Sequence, residues 1–112
     1  MLEREVEVPQ GGVSTMAKLA LYVALKAKPG KASDIEAFLK QGAEMAKAEP
    51  GTVTWYGIKE GEGSYAVFDT FNDEAGRDAH LNGDIAKALM AKADELFSNK
   101  LEIHKIQIIA AK

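Results

Sequence analysis

Residues 17–27 alternate with a period of two, and both phases of the alternation are apolar: Leu19, Leu21, Val23 and Leu25 on one side, Ala20, Tyr22 and Ala24 on the other. Successive side chains of a strand point to opposite faces, so this segment reads as a strand whose two faces both need cover. Pro29-Gly30 stops it. Ser33-Asp34-Ile35-Glu36 then has capping-box spacing, which places the Ser33 hydroxyl and the Glu36 carboxylate on free amides of a first helical turn. The helix that follows carries Ile35, Phe38, Leu39, Gly42, Met45 and Ala46 on one stripe and ends at Glu49-Pro50-Gly51.

Two runs rich in β-branched and aromatic residues, 52–59 and 65–71, flank Glu60-Gly61-Glu62-Gly63-Ser64 and predict a hairpin with a glycine-rich loop. Asn72 or Asp73 caps a short helix reaching Leu81, and Asn82-Gly83 interrupts it. Asp84 caps a second helical stretch to about Phe97. Residues 101–109 are strand-like, with a slip of apolar phase between Leu101/Ile103 and Ile106/Ile108 that predicts a bulge near Lys105. The order β-α-β-β-α-β predicts an α+β, ferredoxin-like protomer, a four-stranded antiparallel sheet with helices on one face. Tyr22 with Ala20 and Ala24, Trp55 with Val53, and Tyr65 with Val67 and Phe71 supply a second apolar face, while Phe68 is expected under the helices. The simplest cover for the bare face is a second copy, giving a homodimeric α/β barrel.

At 112 residues the chain has the size of one domain, expected over residues 16–112. Residues 1–15 differ in pattern: Leu2, Val6 and Val8 alternate with Glu3, Glu5 and Glu7, then Pro9-Gln10-Gly11-Gly12 breaks the run. Either they lie upstream of a true start at Met16, since Gln10-Gly11-Gly12-Val13 matches a translated ribosome-binding sequence, or they are an extension able to add an edge strand. Lys and Arg total 14 against 17 Asp and Glu, a net charge of -3, so no basic surface attracts nucleic acid. With no cysteine there is no disulfide, thiolate nucleophile, Cys-bound zinc or iron–sulfur cluster. No apolar stretch approaches the roughly 18–20 residues of a membrane helix and no apolar signal core opens the chain, which places it in the cytoplasm without a membrane partner. Gly61 with Gly63 and Gly11 with Gly12 form neither GxGxxG nor a P-loop, so nucleotide binding has no support.

The segment Phe68-Asp69-Thr70-Phe71-Asn72-Asp73-Glu74-Ala75, followed by Ala79-His80-Leu81, resembles the strand-three-to-helix region of antibiotic biosynthesis monooxygenases, including quinol monooxygenase-like members. Pro50-Gly51-Thr52-Val53 is similar too, and the likeness spans nearly all of residues 17–112. It implies a dimeric α/β barrel with an apolar pocket between sheet and helices, and oxygenation of quinols or polyketide anthrones without metal or flavin. A phenolate or carbanion can itself reduce dioxygen, so such a protein needs only to bind an aromatic, help remove a proton and exclude water. The chain also departs from the family. Phe71 stands where relatives often have Trp, and Asn82-Gly83-Asp84-Ile85 replaces a common Thr-Pro-His. Val67, Phe71 and Arg77 stand at the Asn, Trp and Tyr positions of polyketide-oxidising members. Strand one has no Asn and residues 85–97 no His, which disfavours haem degradation.

His80 is the first catalytic candidate. A free histidine titrates near 6.5 and accepts a phenolic proton at neutral pH, and the resemblance puts it at the pocket mouth. The structural alternative is a helix-end histidine serving the helix dipole. Asp69, alternating with Val67 and Phe71, is a second base candidate if it points into the cavity. Tyr22, Trp55, Tyr65 and Phe71 are substrate-binding candidates as walls of an aromatic-lined pocket; core packing or dimer contact explains them equally well. Arg77 reads as a helical partner of Asp73 or Glu74. His104 reads as structural, and an iron site would need His80, His104 and Asp69 to converge. The expected activity is a small cofactor-independent monooxygenase acting on a quinol or related phenolic with dioxygen. The competing class is a non-catalytic dimeric ligand-binding or structural module. A ligand of this kind needs a cavity of roughly 300 Å³ around Trp55 and His80, and side chains filling that space would remove the basis for an enzyme.

Overall fold

A strand with apolar side chains on both phases belongs inside a sheet, and the computed structural model, which describes residues 17–112, puts it there. Strand β1 (Leu19–Lys26) lies between β3 (Ser64–Phe71) and β4 (Ile103–Gln107), with β2 (Thr52–Gly61) on the far side of β3. All three pairings are antiparallel, in the order β2-β3-β1-β4. Helices α1 (Ala32–Ala46), α2 (Glu74–Leu81) and α3 (Asp84–Leu96) complete the α+β ferredoxin-like arrangement. The extension over residues 1–15 and the proposed start at Met16 lie outside the described residues.

Pairing register decides which side chains meet the helices. Leu19, Leu21, Val23 and Leu25 stand opposite Phe71, Asp69, Val67 and Tyr65, and Trp55 stands opposite Asp69. Val23, Leu25, Tyr65 and Val67 join Ile35, Phe38 and Leu39 of α1 and Leu89 and Leu96 of α3 in one buried cluster. Trp55, Tyr65, Val67 and Phe71 therefore face the helices and not the bare side. Phe68 is the reverse case. It pairs with Tyr22 on one side and Tyr56 on the other, so its ring belongs to the face away from the helices. The expectation for strand three was one residue out of phase, and a one-residue shift moves every side chain to the opposite face. The row Tyr56–Phe68–Tyr22–His104 crosses that face, with Ile58 and Ile106 beside it; Tyr56 is 52% exposed.

Several local expectations are corrected. Ser33 is inside α1 and caps nothing: Lys31 is the N-cap and makes no side-chain cap bond, and Ile35 N–H donates to the Lys31 carbonyl. Glu36 is drawn away from the helix end because it accepts the Tyr65 hydroxyl. The glycine-rich loop shrinks to Glu62-Gly63, since β2 continues to Gly61 through a register shift between Lys59 and Gly61 and Gly63 takes a left-handed φ of 70°. No bulge interrupts β4, which runs in unbroken register from Ile103 opposite Val23 to Gln107 opposite Leu19. The phase slip arises because Leu101 packs on the core before the strand begins, while Ile103 and Ile106 lie on opposite faces within it. Before β4 starts, Asn99 holds the chain against β1, accepting from Lys26 N–H at 2.8 Å and donating to the Ala24 carbonyl at 2.9 Å. The Asp73 cap is as expected: its carboxylate accepts from Gly76 N–H at 2.8 Å.

The Gly51 turn before β2 touches α2 backbone to backbone, for a Cβ on Gly76 would sit 2.7 Å from the Gly51 carbonyl oxygen. Alanine in a helix interior normally gains about 1 kcal/mol over glycine. Here overpacking costs about 1–3 kcal/mol, so Gly76→Ala is expected to lower the urea midpoint; a raised midpoint would refute the close contact.

Candidate functional site

Asp69 lies in the centre of the sheet's helix-covered face, flanked across the strands by Trp55 and Leu21. An isolated carboxylate there is costly, because burial removes its water without replacing it. The chain leaves β3, is capped by Asp73 and returns over the sheet as α2, whose last turn carries His80. His80 Nε2 comes within 2.8 Å of Asp69 Oδ2, and its Nδ1 donates to Glu49 Oε1 at 2.7 Å. Glu49 follows α1 and accepts the Thr52 hydroxyl at 2.9 Å. Side-chain exposure falls along the row, from 21% at Glu49 through 7% at His80 to 1% at Asp69.

The two contacts of the imidazole differ in kind. The Glu49 contact is a directed hydrogen bond, whereas Asp69 Oδ2 lies close to Nε2 but off the N–H direction, so that pair is an ion contact and neither Asp69 oxygen accepts an aligned bond. Burial by itself pushes the His80 pKa down, but the close Asp69 carboxylate and the hydrogen bond and charge of Glu49 outweigh it and hold the group above its ordinary 6.5. Its place in the last turn of α2 acts in the same direction. His80 is therefore held toward its protonated form, in which neither ring nitrogen has a lone pair to offer.

Asp69 and His80 line an internal cavity together with Trp55, Leu21, Val67, Leu81 and Ile85. Its volume is about 40 Å³, so the cavity of roughly 300 Å³ expected around Trp55 and His80 is not met in this conformation, because Phe38, Leu81, Ile85 and Leu89 close over the space. On the outer side of the row, Glu49 and His80 line a surface cleft of about 390 Å³ with Pro50, Gly51, Gly83 and Asp84. Trp55 is shared between the internal cavity and a groove of about 270 Å³ between α1 and β2, whose walls include Leu39, Lys59 and Tyr65. Its indole lies against α1 where Gly42 leaves room: a Cβ there would fall 2.8 Å from the ring. The indole Nε1 is buried without a partner, as is Asp69 Oδ1.

The structure thus brings His80, Asp69 and Trp55 together. Phe71 lies next to them, its ring centroid 5.5 Å from that of His80. Tyr65 lines the outer groove and donates its hydroxyl to Glu36, which raises the phenol's pKa. Tyr22 is on the opposite face, where its hydroxyl donates to Glu60 at 2.7 Å. His104 stands across from Tyr22 on that face, away from His80, so the two histidines do not converge. Glu49 and Asp69 occupy opposite nitrogens of one ring and do not converge either; among the described residues no cluster suits a metal ion. Nor does any described helix have the length and apolarity to cross a membrane. Glu49 escaped sequence reading because Glu49-Pro50-Gly51 carries a complete explanation as a helix stop.

Fold and site together define a ferredoxin-like α+β protein with a carboxylate–imidazole–carboxylate row beside an apolar cavity. The sequence profile named antibiotic biosynthesis monooxygenase matches residues 19–92, and the chain belongs to that family. A crystal structure of a protein of unknown function from Nitrosomonas europaea is 50% identical, with a TM-score of 0.83 over 88% of this chain and 95% of that one. A protein from Caulobacter crescentus, named as a candidate antibiotic biosynthesis monooxygenase, has a TM-score of 0.71 at 22% identity over 88% of this chain and 96% of its own. A protein from Mycobacterium tuberculosis shares the fold with a TM-score of 0.75 at 16% identity, covering 85% of this chain and 98% of that chain. No curated protein matches the chain.

The cluster has a stability signature. Since the folded His80 value lies above the unfolded 6.5, its contribution is complete below pH 6.5 and is lost as pH rises through the folded value. Urea titrations at increasing pH through this window are expected to show wild type losing stability, while His80→Gln starts lower and changes less. Equal slopes for the two proteins would refute a raised His80 pKa in the folded state.

Proposed function

We propose that the chain is a small monooxygenase that oxidises a quinol or related phenolic with dioxygen, using an enlarged form of the internal cavity. The observation that carries this reading is the pair of buried, unpartnered polar atoms on residues lining one apolar cavity: Asp69 Oδ1, an acceptor, and Trp55 Nε1–H, a donor. A phenolic hydroxyl is complementary to both, giving its proton to Asp69 and accepting from the indole. Family membership supports the oxygenase chemistry. Loss of the phenolic proton leaves an electron-rich ring that reduces dioxygen itself, so catalysis consists of binding, proton removal and exclusion of water. In the balanced reaction one oxygen atom replaces a ring hydrogen as hydroxyl and the other leaves as water. The quinol supplies four electrons and becomes a hydroxyquinone.

Room for the ring comes from Trp55. Because its side chain borders both the internal cavity and the groove between α1 and β2, rotation of the indole joins the two spaces, with Tyr65 and Leu39 as further walls. The bare sheet face carrying Tyr56, Phe68, Tyr22 and Ile106 pairs with a second copy in this reading, forming the barrel-like homodimer. Sedimentation is expected to show a dimer at micromolar concentration and Tyr56→Asp to dissociate it; a wild-type monomer would refute this assembly.

A second reading is a non-catalytic ligand-binding or structural module, and the cavity volume of about 40 Å³ favours it. Oxygen uptake with a panel of reduced quinones and anthrones separates the two. The enzyme reading expects uptake by wild type, a fall of about 10²-fold or more in Asp69→Asn through loss of the base, and a weaker effect in Trp55→Phe. No uptake by wild type across the panel selects the module, and uptake unchanged in Asp69→Asn removes Asp69 from the chemistry.

A further inference from the structure

Glu49 is held more firmly than a helix stop requires. Its Oε1 accepts both the His80 Nδ1–H at 2.7 Å and the Thr52 hydroxyl at 2.9 Å, and its Oε2 lies against Gly83, where a Cβ would approach within 3.1 Å. The carboxylate is thereby pinned between the connection leaving α1, the end of α2 and the corner before α3. It does not line the internal cavity, and it meets the Asp69–His80 pair through the imidazole; a separate groove beside β2 has both Glu49 and Trp55 in its walls.

An imidazole at the end of a helix has two orientations related by a half-turn of the ring, similar in shape but different in which atoms carry N–H groups. Only one of them puts a nitrogen against Asp69. The partner of one ring nitrogen settles the state of the other. We propose that Glu49 is the positioning residue of this site: by holding Nδ1–H it keeps the His80 ring in one orientation with Nε2 against Asp69 Oδ2, which leaves Asp69 Oδ1 as the acceptor offered to the cavity. This inference rests on the reading of Asp69 as the base. The imidazolium behind Asp69 keeps that carboxylate from standing as an uncompensated buried charge, and Glu49 keeps the imidazolium charged. The ionisable groups around the ring are Asp69 from β3, Glu49 after α1, Asp84 at the start of α3 across the outer cleft, and Arg77 one turn earlier on α2.

The test uses the full chain labelled with ¹⁵N, following the His80 ring nitrogens against pH in wild type and Glu49→Gln, alongside the pH profile of oxygen uptake with a reduced quinone. Wild type is expected to carry protons on both nitrogens at pH 7. Loss of the Glu49 charge is expected to lower the proton affinity of His80 about tenfold, to move the alkaline limb of the rate profile to lower pH by the same amount, and to lower kcat while KM changes little. A wild-type ring without a proton on Nδ1 at pH 7, or a variant titrating like wild type, overturns the inference. The wild-type spectrum decides the matter even if Glu49→Gln fails to fold. Wild type that consumes no oxygen refutes the monooxygenase reading, while the ring spectra still decide whether Glu49 positions His80.

Discussion

A carboxylate in the middle of a sheet, under helices and with 1% of its side chain exposed, must be compensated or the fold does not tolerate it. Asp69 is that group, and much of the surrounding structure answers to it. Two turns of α2 are needed to bring His80 over β3, the Asp73 cap starts α2 at the right residue, and Glu49 holds the far nitrogen of the ring from beyond α1. The row Glu49–His80–Asp69 consequently ties three parts of the chain together, the connection after α1, the centre of β3 and the end of α2. A hydrophobic residue at position 69 would pack there without any of these requirements. Retaining the acid keeps an acceptor atom on a cavity-lining residue, and that atom is the chemically distinctive property of the site.

The sheet divides the molecule's two tasks. Its helix side holds the core and the polar row, while its other side carries Tyr56, Phe68, Tyr22 and Ile106 without cover from any described helix. Trp55 sits where the first task touches the solvent, with its indole between the internal cavity and the groove along α1. Gly42 is the local condition for this, since any larger residue on α1 would drive the ring away from the helix.

Sequence reading recovered element order, the break between α2 and α3 and the Asp73 cap, and it singled out His80 and Asp69, which the structure brings together, because each has a local sign: periodicity, a cap residue, an ionisable group among apolar neighbours. It misjudged the phase of β3, since Tyr65, Val67 and Phe71 on one parity and Ala66 and Phe68 on the other are both apolar and only the register with β1 separates them. The Ser33 capping box failed for a related reason. Glu36 satisfies the motif's spacing, yet the Tyr65 hydroxyl, 29 residues away, takes its carboxylate. Cavity size was equally illegible, for it depends on how Leu81, Ile85 and Leu89 settle over the sheet.

What the chain's residues determine by themselves is the alternation and helical spacing that select an α+β sheet with helices, since those preferences act over a few neighbouring positions. The charge state of His80 is a tertiary result. An isolated histidine titrates near neutrality, and only the approach of Glu49 and Asp69, 31 and 11 positions away along the chain, holds its pKa above that value despite burial. Only folding sets the field at this ring, because an electrostatic field depends on distances in space and no local pattern of residues encodes them.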